Sequence, residues 1–196
     1  MKHKLGIVFM LVGLCMAGAA AGLFLHNKVE DERAGEKTLE MLTQVQDMIE
    51  YNLSDHTHQE ENKPSNEMRV DIIDGQGYIG YLSIPSQGKN LPVLSEWNYK
   101  LLRIAPCRYY GSDRTDNLVI AAHNYRRHFG QLYSMSPGEQ IIFTDMDGNV
   151  TEYSVVEVDT MNGTDIDRMT SGEFDLTLFT CTYGGRKRIA VQCDKK

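Results

Sequence analysis

At 196 residues the chain has room for one domain and an appendage. Its 27 acidic against 20 basic side chains give a net charge of −7, with no basic patch to serve a nucleic-acid partner. Four cysteines are too few for a disulfide scaffold.

The appendage comes first. After Met1-Lys2-His3-Lys4, residues 5–25 form an uncharged run of 21 apolar or small residues, then a polar, mostly acidic stretch follows from His26 to Glu36. As a helix, that run spans roughly 30 Å of hydrocarbon. Ala17, Ala19 and Ala21 offer A-x-A-like cleavage sites, but signal h-regions are usually about 7–15 residues, so an uncleaved anchor is expected. The basic flank stays in the cytoplasm, which places everything after Leu25 on the extracellular side of the cell membrane in a single pass. Cys15 lies mid-run behind Leu14 and reads as a small apolar residue in the membrane rather than a lipid-carrying one.

Leu39, Leu42, Val45, Met48 and Ile49 recur at helical spacing within 36–52, which predicts an amphipathic helix, packed on the domain or stalking it away from the membrane. Residues 54–67 are polar, nearly free of aliphatics and contain Pro64, so they read as a linker. The expected organisation is therefore a cytoplasmic stub and anchor (1–25), a helix and linker (26–67), and an outer domain (68–196).

From Met68 on, strand follows strand. Tyr78 to Pro85 alternates, Leu91-Pro92-Val93 follows a Gly88 turn, and 117–122 is continuously apolar, as in a strand buried on both faces. Segments 140–144 and 151–158 flank Asp147-Gly148-Asn149, a hairpin turn. Leu176 to Cys181 alternates, and a further strand opens at Arg188 after Gly184-Gly185. Short helical turns are expected near 97–102, 130–135 and 165–169, and Cys107, behind Pro106, reads as loop. Many short strands with little helix predict an all-β barrel or sandwich.

Two motif matches carry no chemistry. Gly75-Gln76-Gly77-Tyr78-Ile79-Gly80 spells G-x-G-x-x-G, but a linker precedes it and a strand follows, where dinucleotide binding needs a strand and then a helix. Asp145 to Asn149 opens like a calcium loop, yet its glycine is fourth rather than sixth and the twelfth position is Val156, so the hairpin explains it. Cys181 and Cys193 are too far apart for a zinc knuckle. No metal and no cofactor is expected.

The chemistry lies elsewhere. Cys181 ends one strand, His123 directly follows the buried run 118–122, and Arg188 opens the last strand. A thiol that attacks a carbonyl, an imidazole that moves the proton and a fixed cation for the oxyanion are the parts of an acyl-transfer site. A strand cysteine is usually an inert small hydrophobe, but Arg186, Lys187 and Arg188 lie close in sequence, and nearby cations favour a thiolate. His128, in the loop after His123, is the rival imidazole and is expected to be solvated. Arg186 sits in the turn, so Arg188 is preferred.

Here the residues meet a family. Thr177-Leu178-Phe179-Thr180-Cys181 resembles the TLxTC signature of sortases, membrane-anchored cysteine transpeptidases of Gram-positive bacteria. Gly80 to Pro85 with Leu91-Pro92-Val93 resembles their opening strands, Asp116 to His123 their histidine strand, Pro137 to Ile141 the stretch into their middle hairpin, and Arg188 to Val191 the strand of their arginine. The resemblance spans about 77–193 and implies a closed barrel with short helices. It implies Cys181 as acyl-thioester nucleophile, His123 as general acid and base, Arg188 on the substrate carbonyl or oxyanion, and Thr180 and Ala122 beside the substrate. The implied partners are surface proteins bearing a C-terminal LPxTG-like sorting signal and an amine from a peptidoglycan precursor or a pilin. Ala122 stands where the family usually has glycine, and 159–175 lacks room for the long helix of class B enzymes, so the class stays open.

Two rival readings accompany this one. An L,D-transpeptidase would need an S-H-G-C-x-R-like run, and Cys181 is instead flanked by Phe179-Thr180 and Thr182. A non-catalytic exterior binding domain on the same fold would be marked by a missing triad member, and all three are present. Removing Cys15 from the count leaves Cys107, Cys181 and Cys193, an odd number, with Cys107 and Cys193 expected to stay reduced.

Overall fold

Alternation along the chain becomes the wall of a barrel in the computed structural model, which describes residues 2–54 and 66–196, with side chains from residue 6. The strands are β1 (Asp71–Ile73), β2 (Gln76–Ile84), β3 (Lys89–Leu94), β4 (Cys107–Tyr110), β5 (Leu118–Ala122), β6 (Gln140–Asp145), β7 (Val150–Asn162), β8 (Leu176–Cys181) and β9 (Lys187–Lys195). They pair in the order β1-β2-β3-β4-β5-β8-β9-β7-β6, and β6 returns to β2, so eight strands close a ring while β1 is a hairpin strand on β2. Closure leaves no open edge in the ring. The β3–β4 and β5–β8 pairings are parallel and the rest antiparallel. Single 3₁₀ turns lie at Pro85–Gln87, Leu101–Arg103, Asp113–Thr115 and Leu132–Ser134, and a one-turn helix, α2, spans Ile166–Met169.

Period two sorts each strand into an inner and an outer face. Leu118 and Ile120 of β5, Leu176 and Leu178 of β8, and Val191 and Cys193 of β9 fill the interior. Val119, Ala121, Phe179 and Ala190, one residue out of phase, belong to a second buried cluster on the outside of the wall. Closure also requires backbones to meet closely. Gly80, at φ 137° and opposite Asp145, has no room for a Cβ, which would overlap the Thr144 carbonyl.

The long helix α1 (Lys2–Ser54) contributes to two compact units, Met1–Arg33 and Ala34–Lys196. In the first, its side chains from residue 6 to residue 29 are exposed, and the span is long and apolar enough to cross a membrane. In the second, Ala34, Thr38, Leu42, Val45 and Ile49 turn one face to the barrel, where Val45 and Ile49 join the outer cluster. Each large aliphatic buried there contributes about 1.5–3 kcal/mol. The docking face differs from the expected one: Leu39 is exposed and Thr38 is buried in its place. Asn52 ends the docked segment by donating to Asp71 Oδ2 and the Met146 carbonyl, both at 2.9 Å. The expected linker lies almost wholly on 55–65, outside the described residues.

The hairpin reading of 145–149 holds. Asp145, 1% exposed, accepts from the amides of Asp147 and Asn149 and from the Asn149 side chain, and Arg114 bridges it to Asp147. The glycine-rich 75–80 segment is the β1–β2 turn and the start of β2. Cys107 is not in a loop. It opens β4 and is fully buried.

Candidate active site

Register lines up the ends of three neighbouring strands, with Cys181 and Arg188 on two of them and His123 directly after the third. Ala122 of β5 lies beside Thr180 of β8, and each is followed by a site candidate, His123 after Ala122 and Cys181 after Thr180. Cys181 in turn pairs directly with Arg188 of β9. Opposed residues of an antiparallel pair hold their Cβ atoms about 4.5–5.5 Å apart, and neighbouring strands run about 4.8 Å apart. Parity does the rest. Leu178 and Thr180 point inward, so Phe179 and Cys181 point outward, in phase with Ala121 on β5 and Ala190 on β9. Cys181 and Arg188 thus share the outer face at one end of the barrel, and His123 follows β5 at that same end.

Each is held differently. Cys181 is the last residue of β8 and partly exposed, with the Gly184–Gly185 turn (φ 94° and 72°) immediately behind it. Arg188 donates through Nη1 to the carbonyls of Gly185 and Lys187 at 2.9 and 3.1 Å. That fixes one edge of the fork and leaves Nη2 and Nε with no partner among the described residues. Gly163 lies against the guanidinium. His123 is half-buried, and its ring packs on Tyr125 at 4.9 Å between centroids. Burial first, and the charge of Arg103 second, hold its pKa below the ordinary imidazole value. The neutral ring is therefore the prevailing form near neutrality.

Thr180 and Ala122, expected beside the substrate, lie one residue before Cys181 and His123. Both side chains are buried in the barrel, and Thr180 Oγ1 donates to the Ala122 carbonyl at 2.8 Å. They tie the histidine strand to the cysteine strand from inside. His128 also departs from expectation: it is 0% exposed, not solvated, and its Nε2 lies 3.0 Å from Thr38 Oγ1. The remaining buried thiols stay apart. Cys107 packs in the outer cluster and Cys193 in the interior, on opposite faces of the wall, and burial pushes Cys107 up to about 12 and Cys193 higher still. All four cysteines are free.

Sequence reasoning missed two features of the site. Phe179 and Tyr109 meet edge to face at 5.1 Å, and Tyr109 packs on Trp97 at 5.0 Å, so an aromatic series runs from the strand of Cys181 to the loop after β3. Arg103, from the 3₁₀ turn in that same loop, supplies the charge felt by His123. Neither could be read from spacing, because both depend on a loop of irregular conformation returning to the sheet.

The Sortase domain family profile matches residues 82–196, more than half of the chain. The chain belongs to the sortase family. A search of curated proteins finds no match. Among solved structures, a Clostridium perfringens Sortase D5 transpeptidase is similar at TM-score 0.64 and 16% identity, over 82% of this chain and 99% of that one. Sortase C of Streptococcus pneumoniae is similar at 0.56 and 21%, over 86% and 95%. A Clostridium perfringens sortase C with the C-terminal cell wall sorting motif is similar at 0.55 and 18%, over 80% and 90%. At these identities the likeness shows the sortase fold. The family assignment also sets aside the L,D-transpeptidase reading.

Proposed function

We propose that this sortase is a cysteine transpeptidase in which Cys181 is the nucleophile, His123 the proton carrier and Arg188 the oxyanion and carbonyl donor. The observation that supports the reading is register: Cys181 pairs with Arg188, and His123 follows Ala122, the partner of Thr180, at the same barrel end.

The chemistry follows from their forms. Neutral His123 takes the thiol proton as Cys181 Sγ attacks the scissile carbonyl of a C-terminal sorting signal. Arg188 donates from its fixed fork to the oxygen that gains charge. The C–N bond breaks, the imidazolium gives its proton to the leaving amine, and an acyl-thioester remains on Cys181. An incoming amine attacks that carbonyl while His123 accepts its proton; the C–S bond breaks and the thiolate is reprotonated. The substrate class is supported by the sorting motif named with the Clostridium perfringens sortase C, and the amine would come from a peptidoglycan precursor or a pilin. The apolar helix would anchor the enzyme, with the basic Met1–Lys4 end inside and the barrel outside, where both substrates are found.

The test uses the full chain in detergent micelles with an LPxTG-like peptide and a triglycine amine. Mass spectrometry should find the acyl half joined to triglycine. Recovery of both substrates unchanged, over a series of sorting-signal variants, would refute the reading.

A further inference from the structure

The histidine not used by the chemistry occupies a telling place. Thr38 of α1 is 4% exposed, and its Oγ1 lies 2.7 Å from the Ala34 carbonyl, 3.2 Å from the Ile104 carbonyl and 3.0 Å from His128 Nε2. A hydroxyl has one proton and two acceptor lone pairs. The carbonyls only accept, so the proton goes to one of them, and the third contact is a bond donated by His128 Nε2–H. This assigns the Nε2-protonated tautomer to His128.

From His128 the contact continues to His123. Its ring packs on Tyr125 at 5.5 Å and 55°, and Tyr125 packs on His123 at 4.9 Å and 38°. The main chain closes around the three rings: the Phe129 amide donates to the His123 carbonyl at 3.3 Å, and the amides of His128 and Gly130 both donate to the Tyr125 carbonyl. Thr38 also grips the loop on the other side of His123, at Ile104, next to Arg103. The helix backbone sits close here, since a Cβ on Gly35 would stand 3.0 Å from the Arg127 side chain.

We propose that Thr38 is a positioning residue for His123, acting through the His128–Tyr125 ring column, so that the docked helix sets the aim of the imidazole. The inference rests on His123 being the proton carrier. A buried threonine that merely fills space would need its volume and not its hydroxyl. A positioning threonine needs the hydroxyl, and misplacement of a catalytic group costs rate more than binding.

Thr38→Val keeps the shape and removes the bond, and Thr38→Ser keeps the bond. In the full chain, Thr38→Val should lower kcat about ten- to a hundredfold with KM within about twofold, and Thr38→Ser should recover most of the rate. Tyr125→Leu, which leaves the helix contact intact but breaks the column, should give the same split if the valine variant fails to fold. Histidine ring ¹⁵N spectra supply an arm independent of turnover: His128 should carry its proton on Nε2, and Thr38→Val should move the resonances of both His128 and His123. Wild-type kcat in Thr38→Val or Tyr125→Leu, a change confined to KM, or unmoved His123 resonances would overturn the proposal. If the resonances move but the wild type joins no peptide to an amine, the positioning stands and the transpeptidase reading falls.

Discussion

The two ends of the barrel treat charge differently. At the end away from Cys181, where β5 and β8 begin and β9 finishes, charges are tied to one another. Arg114 bridges Asp147 at 2.6 Å and Asp145 at 3.5 Å, while Lys195 Nζ pairs with Asp116 and donates to the Asp113 carbonyl at 2.6 Å. The Lys195 amide donates to Asp175. At the end carrying Cys181, Arg168 pairs with Asp159 and Glu157, but Arg103, Arg126, Arg186, Lys187 and Arg188 form no ion pair among the described residues, and Arg188 is held only by backbone carbonyls. A netted charge stabilises the fold and is unavailable to a ligand. A cation held by carbonyls keeps its charge for whatever arrives. The difference supports the proposal that the Cys181 end receives a developing oxyanion.

Replacing Arg188 should give the largest effect. Arg188→Lys keeps the charge but loses the planar fork, and lysine cannot reproduce the bonds to two turn carbonyls and an oxyanion together. The expected loss is roughly 10²–10³ in kcat, the scale of one oxyanion donor, while Arg186→Lys stays near wild type. Peptide-cleavage kinetics on both variants decide the matter, and the reverse order would dissolve the contrast drawn at this end.

Arg114→Ala attacks the other end. It strips the cation from Asp145, which keeps its turn amides, so chemical denaturation should show a loss of about 1–3 kcal/mol with kcat per folded molecule unchanged. A fall in kcat at full folding would mean the ends are not separable.

The smallest effect concerns the proton. Arg103 disfavours the charged form of His123, so Arg103→Gln should raise the His123 midpoint, and burial, the larger cause, should keep it below about 6.5. The acid limb of the rate profile then moves to higher pH, because protonation removes the neutral base sooner on acidification. An NMR titration of the ring showing an unchanged or lower midpoint would remove Arg103 from the account.

Much of this arrangement is written locally in the chain. Alternation locates β2 and β8, the continuous apolar run locates β5, and turn residues locate the β6–β7 hairpin and the start of β9, because side-chain pattern and turn chemistry are short-range properties. Cys181, His123 and Arg188 are legible as strand-end residues. Their adjacency is not, since the β5–β8 pairing is parallel and joins residues 58 apart (Ala122 to Thr180), fixed only when the ring closes. β4 escapes because four residues behind a proline carry no measurable period, and β1 is shorter still. The buried polar residues mislead most. Thr38 and His128 look like surface residues one at a time, and only as a pair, 90 residues apart, do they share a buried hydrogen bond. Leu39 has the helical spacing of a docking residue, yet it is Thr38 that is buried, beside the Ile104 carbonyl and His128.

The most direct test of the site is to trap the acyl group and find where it sits. The full chain, incubated with a sorting-signal peptide and no amine, is digested at low pH and mapped by mass spectrometry, with Cys181→Ala in parallel. The account predicts a hydroxylamine-sensitive acyl adduct on Cys181 alone, and none on Cys15, Cys107 or Cys193. It also predicts that Cys181→Ala is folded and carries no adduct. An adduct on another residue, or full turnover by Cys181→Ala, would contradict it.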